Sequence, residues 1–395
     1  MYDLAIINGE VYFDGKFHKT NVFIRDGKIS RISPILLHAE EIYDAKDMYV
    51  MPGIIDPHVH FKLDLGNTSS RDDFYSGSKC AAFGGVTTFI DFLEPVSTAK
   101  GLKKAYQERR KQASKSVIDY AFHACVANPV NEVDKIVDTM NELNLKTVKL
   151  FTTYSESNRR TFKNEIKQLL KRSITDRIMV LAHLENDELI DHNPLYTYHD
   201  LPKSRPTISE TYEALEMAKL LKQTGGKLYM VHLSSGTTLK RLKQEAKGIL
   251  HKNLIIESCP HYFTFSNQKL KARDGYLYTM APPLRSELEV KELHTLFDDI
   301  DTIGTDHCSF YRKDKRESYL SEIPLGIGGA EHSFNIMFKW FGIKAIDKMT
   351  LNVAKLHGLY PKKGVIQEGS DADVFIYQLK KHKIFKDHSN SDYNP

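Results

Sequence analysis

Two histidines separated by one residue, His58 and His60, form a His-x-His pair, a spacing with metal-binding chemistry. Only Val59 lies between them, so on an extended strand both imidazoles point to the same side. Two imidazole nitrogens on one face supply half of the ligands that Zn²⁺ takes in proteins. A lone His-x-His pair is most often an exposed pair without function. Here the pair follows an apolar strand and an Asp-Pro step, and further donors recur at equivalent places, so it indicates a metal site.

Four further side chains of suitable chemistry follow or lie in apolar segments: Lys149, His183, His232 and Asp306. Asp306 can bind a metal and accept a proton from an attacking water, or it can simply be a helix-capping or loop carboxylate. A protonated Lys149 would repel cations, which favours a structural role. A neutral amine can instead react with carbon dioxide to form a carbamate, whose two oxygens can bridge two metals. The residues alone leave both interpretations of Lys149 open.

Tyr154 lies five residues after Lys149, where its phenol can donate a hydrogen bond to a developing oxyanion or merely pack. Zinc lowers the pKa of bound water to about 7, and two ions about 3.5–4 Å apart can share a hydroxide. The predicted chemistry is attack of a metal-bridging hydroxide on an amide carbonyl, with Tyr154 stabilising the oxyanion. Asp306 would carry the proton to the leaving nitrogen. This mechanism requires no nucleophilic Ser or Cys, and the sequence has no Gly-x-Ser-x-Gly motif.

A parallel barrel of eight strands can bring these residues together. Short apolar strands alternate with helical stretches through the middle of the chain, which is typical of a (β/α)8 TIM-like barrel in the α/β class. The predicted strands span residues 53–60, 86–92, 119–126, 147–154, 178–185, 228–235, 254–262 and 301–310. Helices are expected between them, for example over residues 72–84, 131–144, 209–225 and 286–299. Since the carboxyl ends of barrel strands form one face, six candidate ligands from five strands should meet there.

The sequence pattern at both chain ends differs from that of the middle of the chain. The first fifty residues alternate apolar and polar positions between Asn-Gly and Asp-Gly turns, and KKGVIQEGSDADVFIYQ near the other end does the same. We therefore expect a small β-sandwich domain built from both ends. The predicted boundaries are 1–52 and 351–395 for the two parts of the sandwich and 53–350 for the barrel.

The bulk composition excludes several classes. The net charge is +4, and basic and acidic residues are mixed throughout the sequence. This pattern does not contain the clustered basic residues that are typical of nucleic-acid binding. The four cysteines are far apart and form no Cys-x-x-Cys pair, which argues against a disulfide framework or zinc finger. No apolar run approaches the ~20 residues of a membrane span, and the start does not resemble a signal peptide. We expect a cytoplasmic protein that acts on a small molecule, with neither nucleic acid nor membrane as partner.

Several motifs then carry a resemblance. GIIDPHVHFKLDLG, TVKLFTTY, MVHLSS, ESCPHYF, DHCSF and IPLGIGGAE occur in the order found in cyclic amidohydrolases, and the chain is most similar to the dihydropyrimidinase and hydantoinase branch of the amidohydrolase superfamily. The resemblance covers essentially the whole chain. It implies hydrolysis of a ring amide at two zinc or other divalent ions, with a carboxylated Lys149 as bridging ligand and Tyr154 and Asp306 in catalysis. It also implies a homo-oligomer, a dimer or tetramer.

Three departures from that branch concern the substrate and the chain end. Ala281 and Leu325 stand where the branch typically has a substrate-contacting Ser and Asn, so only main-chain contacts would survive there. Lys62 stands where dihydroorotases carry an Arg that grips a substrate carboxylate. It can favour an acidic substrate, or it can be a solvated loop lysine. The end at HSNSDYNP resembles a shortened version of its relatives, which predicts an incomplete β domain.

Dihydroorotase and allantoinase are the alternative enzymes, and a scaffold is the non-enzymatic alternative. The segment IDFLEP lacks the Asn-bearing turn of dihydroorotases, whereas ESCPHYF has an allantoinase-like character. Scaffold relatives of this fold, the collapsin-response mediator proteins, have lost metal ligands. All six ligand positions are filled here with competent residues, which favours the hydantoinase-like enzyme.

Overall fold

The computed structural model describes residues 1–380 and 386–394, and its first part is a series of short strands. The Asp14-Gly15 and Asp26-Gly27 turns have positive φ at both residues, as tight hairpins require. These turns were readable from the sequence because Asp-Gly tolerates that conformation. The strands are β1 (Tyr2–Ile7), β2 (Glu10–Phe13), β3 (Lys16–Lys19), β4 (Asn21–Arg25), β5 (Lys28–Ser33), β6 (Ala39–Asp44) and β7 (Tyr49–Pro52).

The middle of the chain forms an eight-stranded parallel sheet in which each strand pairs with the next in sequence. The sheet curves into a barrel, since a parallel bridge joins Val59 to His307 and the amide of His60 donates to the carbonyl of His307 at 2.9 Å. The predicted barrel is thus confirmed. The second strand spans residues 86–92 as predicted, and the other seven end earlier than predicted. They are β8 (Ile54–Val59), β9 (Val86–Phe92), β10 (Asp119–Cys125), β11 (Thr147–Phe151), β12 (Met179–His183), β13 (Leu228–Met230), β14 (Leu254–Ser258) and β15 (Thr302–Ile303).

Helices cover the outside of the barrel and bury an apolar face against it. The first of them begins at Asp73, whose carboxylate accepts from the amide of Ser76 at 2.9 Å in a capping box. The four helices named from the sequence are present. The helices are α1 (Phe74–Phe83), α2 (Ala99–Ala113), α3 (Val133–Glu142), α4 (Lys163–Thr175), α5 (Leu201–Ser204), α6 (Thr207–Thr224), α7 (Gly236–Glu245), α8 (Pro260–Thr264), α9 (Glu287–Thr295), α10 (Arg312–Lys315), α11 (Ser333–Phe341), α12 (Lys344–Met349) and α13 (Leu351–Leu356).

The two chain ends meet in the small sheets beside the barrel. One sheet has the strand order β5-β4-β1-β6, and the other has the order β16-β7-β2-β3, where β16 is Val374–Tyr377. Strand β16 runs antiparallel to β7, with Val374 opposite Pro52. A separate apolar core lies between these sheets and includes Ile6, Val22 and Ile366. The predicted β unit built from both ends is therefore present, while its boundaries at residues 52 and 350 stay a prediction.

The last described segment, residues 386–394, folds back onto the barrel. The hydroxyl of Ser389 donates to Asp72 at 2.5 Å and the amide of Asn390 donates to the same carboxylate at 2.8 Å. Asp72 also lies 2.9 Å from a ring nitrogen of His307, next to the predicted ligand Asp306. Within the described ranges, no helix combines the length and apolar character that crossing a membrane would require.

Candidate active site

The six predicted ligands all line one cavity of about 530 Å³ at the carboxyl end of the barrel. We call the six together the floor of the cavity: His58, His60, Lys149, His183, His232 and Asp306. Three loop segments surround the opening, and we call residues 63–67, 154–159 and 321–326 the rim. Tyr154, Ala281 and Leu325 line the cavity as well. The side chain of Lys62 is exposed and is not part of the lining.

One half of the floor is a tight group of His58, His60 and Asp306. The Nε2 atoms of His58 and His60 lie 3.2 and 3.1 Å from Oδ1 of Asp306. One ligand atom from each of the three residues fits within 4.8 Å of the others, a spacing that one metal ion can span. Burial alone would raise the pKa of Asp306, but the two imidazoles outweigh it and hold that pKa well below its usual value. Asp306 is therefore a carboxylate at neutral pH.

Buried carboxylates orient two of the histidines from behind. Nδ1 of His58 lies 2.7 Å from Glu257, and Nε2 of His183 lies 2.7 Å from Glu185. Both carboxylates are fully buried. Such carboxylate–histidine pairs fix the tautomer and aim the other ring nitrogen at a metal. Glu257 also accepts from the backbone amide of His232 at 3.0 Å, so one carboxylate holds two members of the floor.

The donor set fits divalent metal ions. Nε2 of His58, Nδ1 of His60 and Nδ1 of His232 are buried and have no hydrogen-bond partner in suitable geometry among the described residues. Nε2 of His58 lies near Asp306 but is not aligned for a hydrogen bond with it. Buried polar atoms are normally satisfied, so three such nitrogens in one cluster point to a missing ligand. Burial lowers the pKa of His60 to about 4 and lowers those of His183 and His232, which favours the neutral ring that metals need. His58 differs, since Glu257 and Asp306 outweigh its burial and raise its pKa to about 9.

Lys149 points into the barrel from the middle of β11. It pairs in register with Leu181 of β12, which pairs with Tyr229 of β13, and both neighbours belong to the apolar interior. Its side chain is 2% exposed, and no carboxylate of the described residues lies within ion-pair distance of Nζ. Burial lowers the pKa of Lys149 to about 8, against the opposing effect of Asp306. A buried amine without a counter-ion is expensive, so a structural role as an ammonium is disfavoured.

Three residues of the site have a backbone conformation with positive φ. Tyr154, His232 and Asp306 have φ of +70°, +42° and +52°. Such values are uncommon for residues other than glycine and cluster at functional sites. Gly304 lies just ahead of Asp306, where a Cβ would come within 2.8 Å of the Cβ of His58 and 2.9 Å of Glu257. Only glycine therefore lets the last strand pass close enough for Asp306 to reach the histidines.

Arg205 links the floor to Tyr154. Its guanidinium pairs with Glu185 and lies 4.9 Å from the ring centre of Tyr154. Burial would raise the pKa of Glu185, but Arg205 outweighs it and lowers that pKa to about 2, so the partner of His183 stays ionised. Burial raises the pKa of Tyr154 to about 12, with Arg205 opposing. The phenol therefore keeps its proton at neutral pH and can donate a hydrogen bond into the cavity.

Sequence analysis did not assign roles to Glu185, Glu257 and Arg205. The sequence did contain a signal for Glu257 and Glu185. Glu257 lies inside the apolar strand LIIES, and a charged residue in such a strand is rarely buried without a partner. Glu185 follows His183 by two residues and so faces the same side if the extended chain continues. Arg205 lies in a loop far from any motif, and its role becomes visible only in three dimensions.

Comparisons with known proteins agree with this site. A model of the amidohydrolase family matches residues 49–394. The D-hydantoinase of Geobacillus stearothermophilus is 31% identical over an alignment that covers 99% of this chain and 88% of that protein. The D-phenylhydantoinase of Escherichia coli O9:H4 (strain HS) is 31% identical, with 99% of this chain and 90% of that protein covered. The crystal structure of the dihydropyrimidinase from Brevibacillus agri superposes with a TM-score of 0.92 at 27% identity, covering 100% of this chain and 90% of that one.

Proposed function

Because the chain belongs to the amidohydrolase family, we propose that it is a metal-dependent hydrolase that opens the ring amide of a hydantoin or a dihydropyrimidine. The observation that carries the proposal is the floor of the cavity, where six donors from five strands converge and three buried ring nitrogens lack partners. The names of the similar proteins, hydantoinases and dihydropyrimidinase, support the substrate class.

The floor would hold two divalent cations, for which zinc is the proposed identity because imidazole and carboxylate ligands suit it. His58, His60, His183, His232 and Asp306 are the proposed ligands. When bound, such ions lower the pKa of a water and polarise a carbonyl. We propose that Lys149 is carboxylated, since a neutral amine at this depth can take up carbon dioxide and the product would supply a second anion beside Asp306.

Hydrolysis adds water across the ring amide. In the proposed mechanism Asp306 transfers a proton and Tyr154 donates a hydrogen bond. The oxygen of water bonds to the carbonyl carbon, the carbon–nitrogen bond breaks, and one proton must reach the leaving nitrogen. Asp306, held ionised, takes a proton from the attacking water and passes it to that nitrogen. The protonated phenol of Tyr154 donates to the carbonyl oxygen as its negative charge develops.

The substrate ring would rest against an apolar wall of the same cavity. Leu63, Leu65, Phe92 and Phe151 contribute apolar side chains to its lining. Such a wall excludes water around the reacting amide and strengthens the electrostatic effects there. We propose a cytoplasmic location from the composition of the sequence, and a homo-oligomeric state, as dimer or tetramer, from the family resemblance.

A substrate panel tests the proposal. Purified protein loaded with zinc or manganese in bicarbonate is assayed against dihydrouracil, hydantoin, allantoin and dihydroorotate, and the ring-opened products are quantified. The proposal predicts that hydantoin or dihydrouracil is opened and that removing the metal abolishes the reaction. Dihydroorotate or allantoin as clearly the best substrate would overturn the assigned substrate class, and no opening of any ring would overturn the enzymatic function.

A further inference from the structure

The rim of the cavity carries one cation, Arg159, that lacks a counter-ion. Its side chain is half-buried and lines the cavity together with the floor. Among residues 1–380 and 386–394, no carboxylate oxygen lies within 4.0 Å of its guanidinium. Of its own hydrogen bonds, the structure shows the one from its backbone amide to the carbonyl of Tyr154 at 3.0 Å. A partly desolvated guanidinium aimed at a substrate cavity is suited to bind an anion there.

The neighbouring residue shows what a satisfied arginine looks like in the same loop. Nη1 of Arg160 lies 3.2 Å from Asp187, and its guanidinium lies 5.3 Å from the ring centre of Phe162. Arg160 therefore has a structural partner, and it is not part of the cavity lining. Arg159 and Arg160 thus differ in whether the described residues supply an ionic partner for the guanidinium.

The loop that carries Arg159 is held in place rather than free. Asp187 accepts hydrogen bonds from the hydroxyl of Thr153 at 3.1 Å and from the hydroxyl of Ser155 at 2.5 Å. Beyond the loop, the amide of Thr161 donates to the carbonyl of Phe151 at 2.8 Å. Because the loop backbone is already held, binding of a ligand would have to order only the Arg159 side chain and not the loop that carries it.

Other charges near the opening do not explain Arg159. Glu156 and Glu322 line the cavity, but both are exposed to solvent and neither forms an ion pair with Arg159. Glu94 lies close enough for Arg159 to affect its pKa, yet its nearest cation is Arg109, at 3.9 Å. Lys62, the cation that the sequence offered for an acidic substrate, has an exposed side chain outside the lining.

We propose that Arg159 selects ring substrates whose substituent ends in a carboxylate. This inference rests on the proposed function, because it places the ring amide at the floor and the substituent toward the rim. A hydantoin carrying a carboxymethyl group fits the description, and its hydrolysis would add water to the ring amide and leave an N-carbamoyl amino acid with two carboxylates. Arg159 touches only the substituent, so it acts in recognition rather than in bond cleavage.

A matched pair of substrates isolates the charge. Hydantoin-5-acetic acid and hydantoin-5-acetamide have nearly the same shape, and unsubstituted hydantoin reports the reaction without any substituent. We expect the acid to exceed the amide in kcat/KM by about 10- to 100-fold, as a charge-assisted hydrogen bond provides. In Arg159→Gln that preference should fall to about threefold or less, because the acid loses its charge-assisted partner and the amide has none to lose. Arg159→Lys should keep part of the preference, and Lys62→Gln, which removes a cation outside the lining, should keep all of it.

Equilibrium binding gives a second readout that does not depend on turnover. Calorimetry with N-carbamoyl-aspartate and N-carbamoyl-asparagine should show the same preference for the extra carboxylate and the same loss in Arg159→Gln. Equal kcat/KM for acid and amide in the wild type would overturn the inference, as would a preference that survives Arg159→Gln or disappears in Lys62→Gln. If hydantoin is opened in those cases, the proposed function stands. If no ring is opened at all, the proposed function fails, and the binding comparison alone decides the role of Arg159.

Discussion

The floor of the cavity lies in or near strand ends of a closed barrel, whereas its rim is made of loops. Most side chains of the floor are buried, and carboxylates behind them such as Glu185 and Glu257 fix their orientation. The rim mixes apolar residues with exposed charges, and its Arg159 has no ionic partner in the described chain. Precise placement at the floor suits a shared chemical step, and loops can change without disturbing it. The reaction type is therefore readable from the floor, and the substrate from the rim.

The largest effect is expected at the centre of the floor. Lys149→Ala should lose most of the bound metal and lower kcat by more than about 1,000-fold, because the cations that activate water are no longer held. Metal content and kcat are measured in parallel, with the thermal unfolding midpoint as a check on folding. Added acetate or propionate should restore part of both quantities by replacing the lost anion. Full metal content and activity in the variant would refute the bridging role of Lys149.

A loss of about 100- to 1,000-fold in kcat is expected at the boundary between floor and rim, for Tyr154→Phe. In the proposed mechanism the phenol donates to charge that develops during the reaction, so kcat should fall while KM changes little. Phe preserves the packing of the ring against Arg205, which lies 4.9 Å from its centre. An unchanged kcat would show that Tyr154 merely packs.

The carboxylates behind the floor should matter less than the ligands themselves. Glu257→Gln keeps the shape of the side chain but removes the charge that orients His58 and holds the amide of His232. Metal affinity should fall about 10- to 100-fold, as is found when such partners are removed. Competition with a chelator measures it, and Glu216→Gln, at a partly exposed carboxylate on α6, is the control. Equal affinity in wild type and Glu257→Gln would remove Glu257 from the site.

The smallest effect on catalysis is expected from Asp72, which supports the barrel end without lining the cavity. Burial would raise its pKa, but His307 and Ser309 outweigh it and hold the pKa far below its usual value. Its stabilising contribution is therefore present above about pH 4, the usual carboxyl pKa, and is lost as the pH falls below that value. Asp72→Asn should destabilise the protein by about 3 kcal/mol at pH 7. In urea unfolding, the difference from wild type should shrink at pH 3, and an equal difference at both pH values would contradict this account.

The architecture was predictable because it depends on patterns that repeat along the chain. Apolar strands of similar length, separated by helices, define eight units, and the rule that sites lie at the carboxyl ends of barrel strands brings His58, His183 and Asp306 together. Strand ends were less predictable, since β13 stops at Met230 and His232 turns into a left-handed conformation. Such turns depend on contacts from other strands, as the close passage of Gly304 past His58 shows.

The rim could not be predicted in the same way. From the comparison with the dihydroorotase pattern, Lys62 was the cation to associate with a substrate carboxylate, and the structure places its side chain outside the cavity lining. Arg159 and Arg160 are indistinguishable in the sequence. Only the position of Asp187, 27 residues farther along from Arg160, satisfies one and leaves the other unpaired. Loop conformations of this kind follow from long-range contacts that no local pattern encodes.

In the proposed function the ring amide is opened only when the floor holds two divalent ions, and a metal titration examines this requirement. Metal-depleted protein is titrated with zinc in bicarbonate while the opening of hydantoin and dihydrouracil is followed. We expect negligible activity without metal and a rise that reaches its plateau at two ions per chain. Activity that does not depend on added metal, or a plateau at one ion, would contradict it.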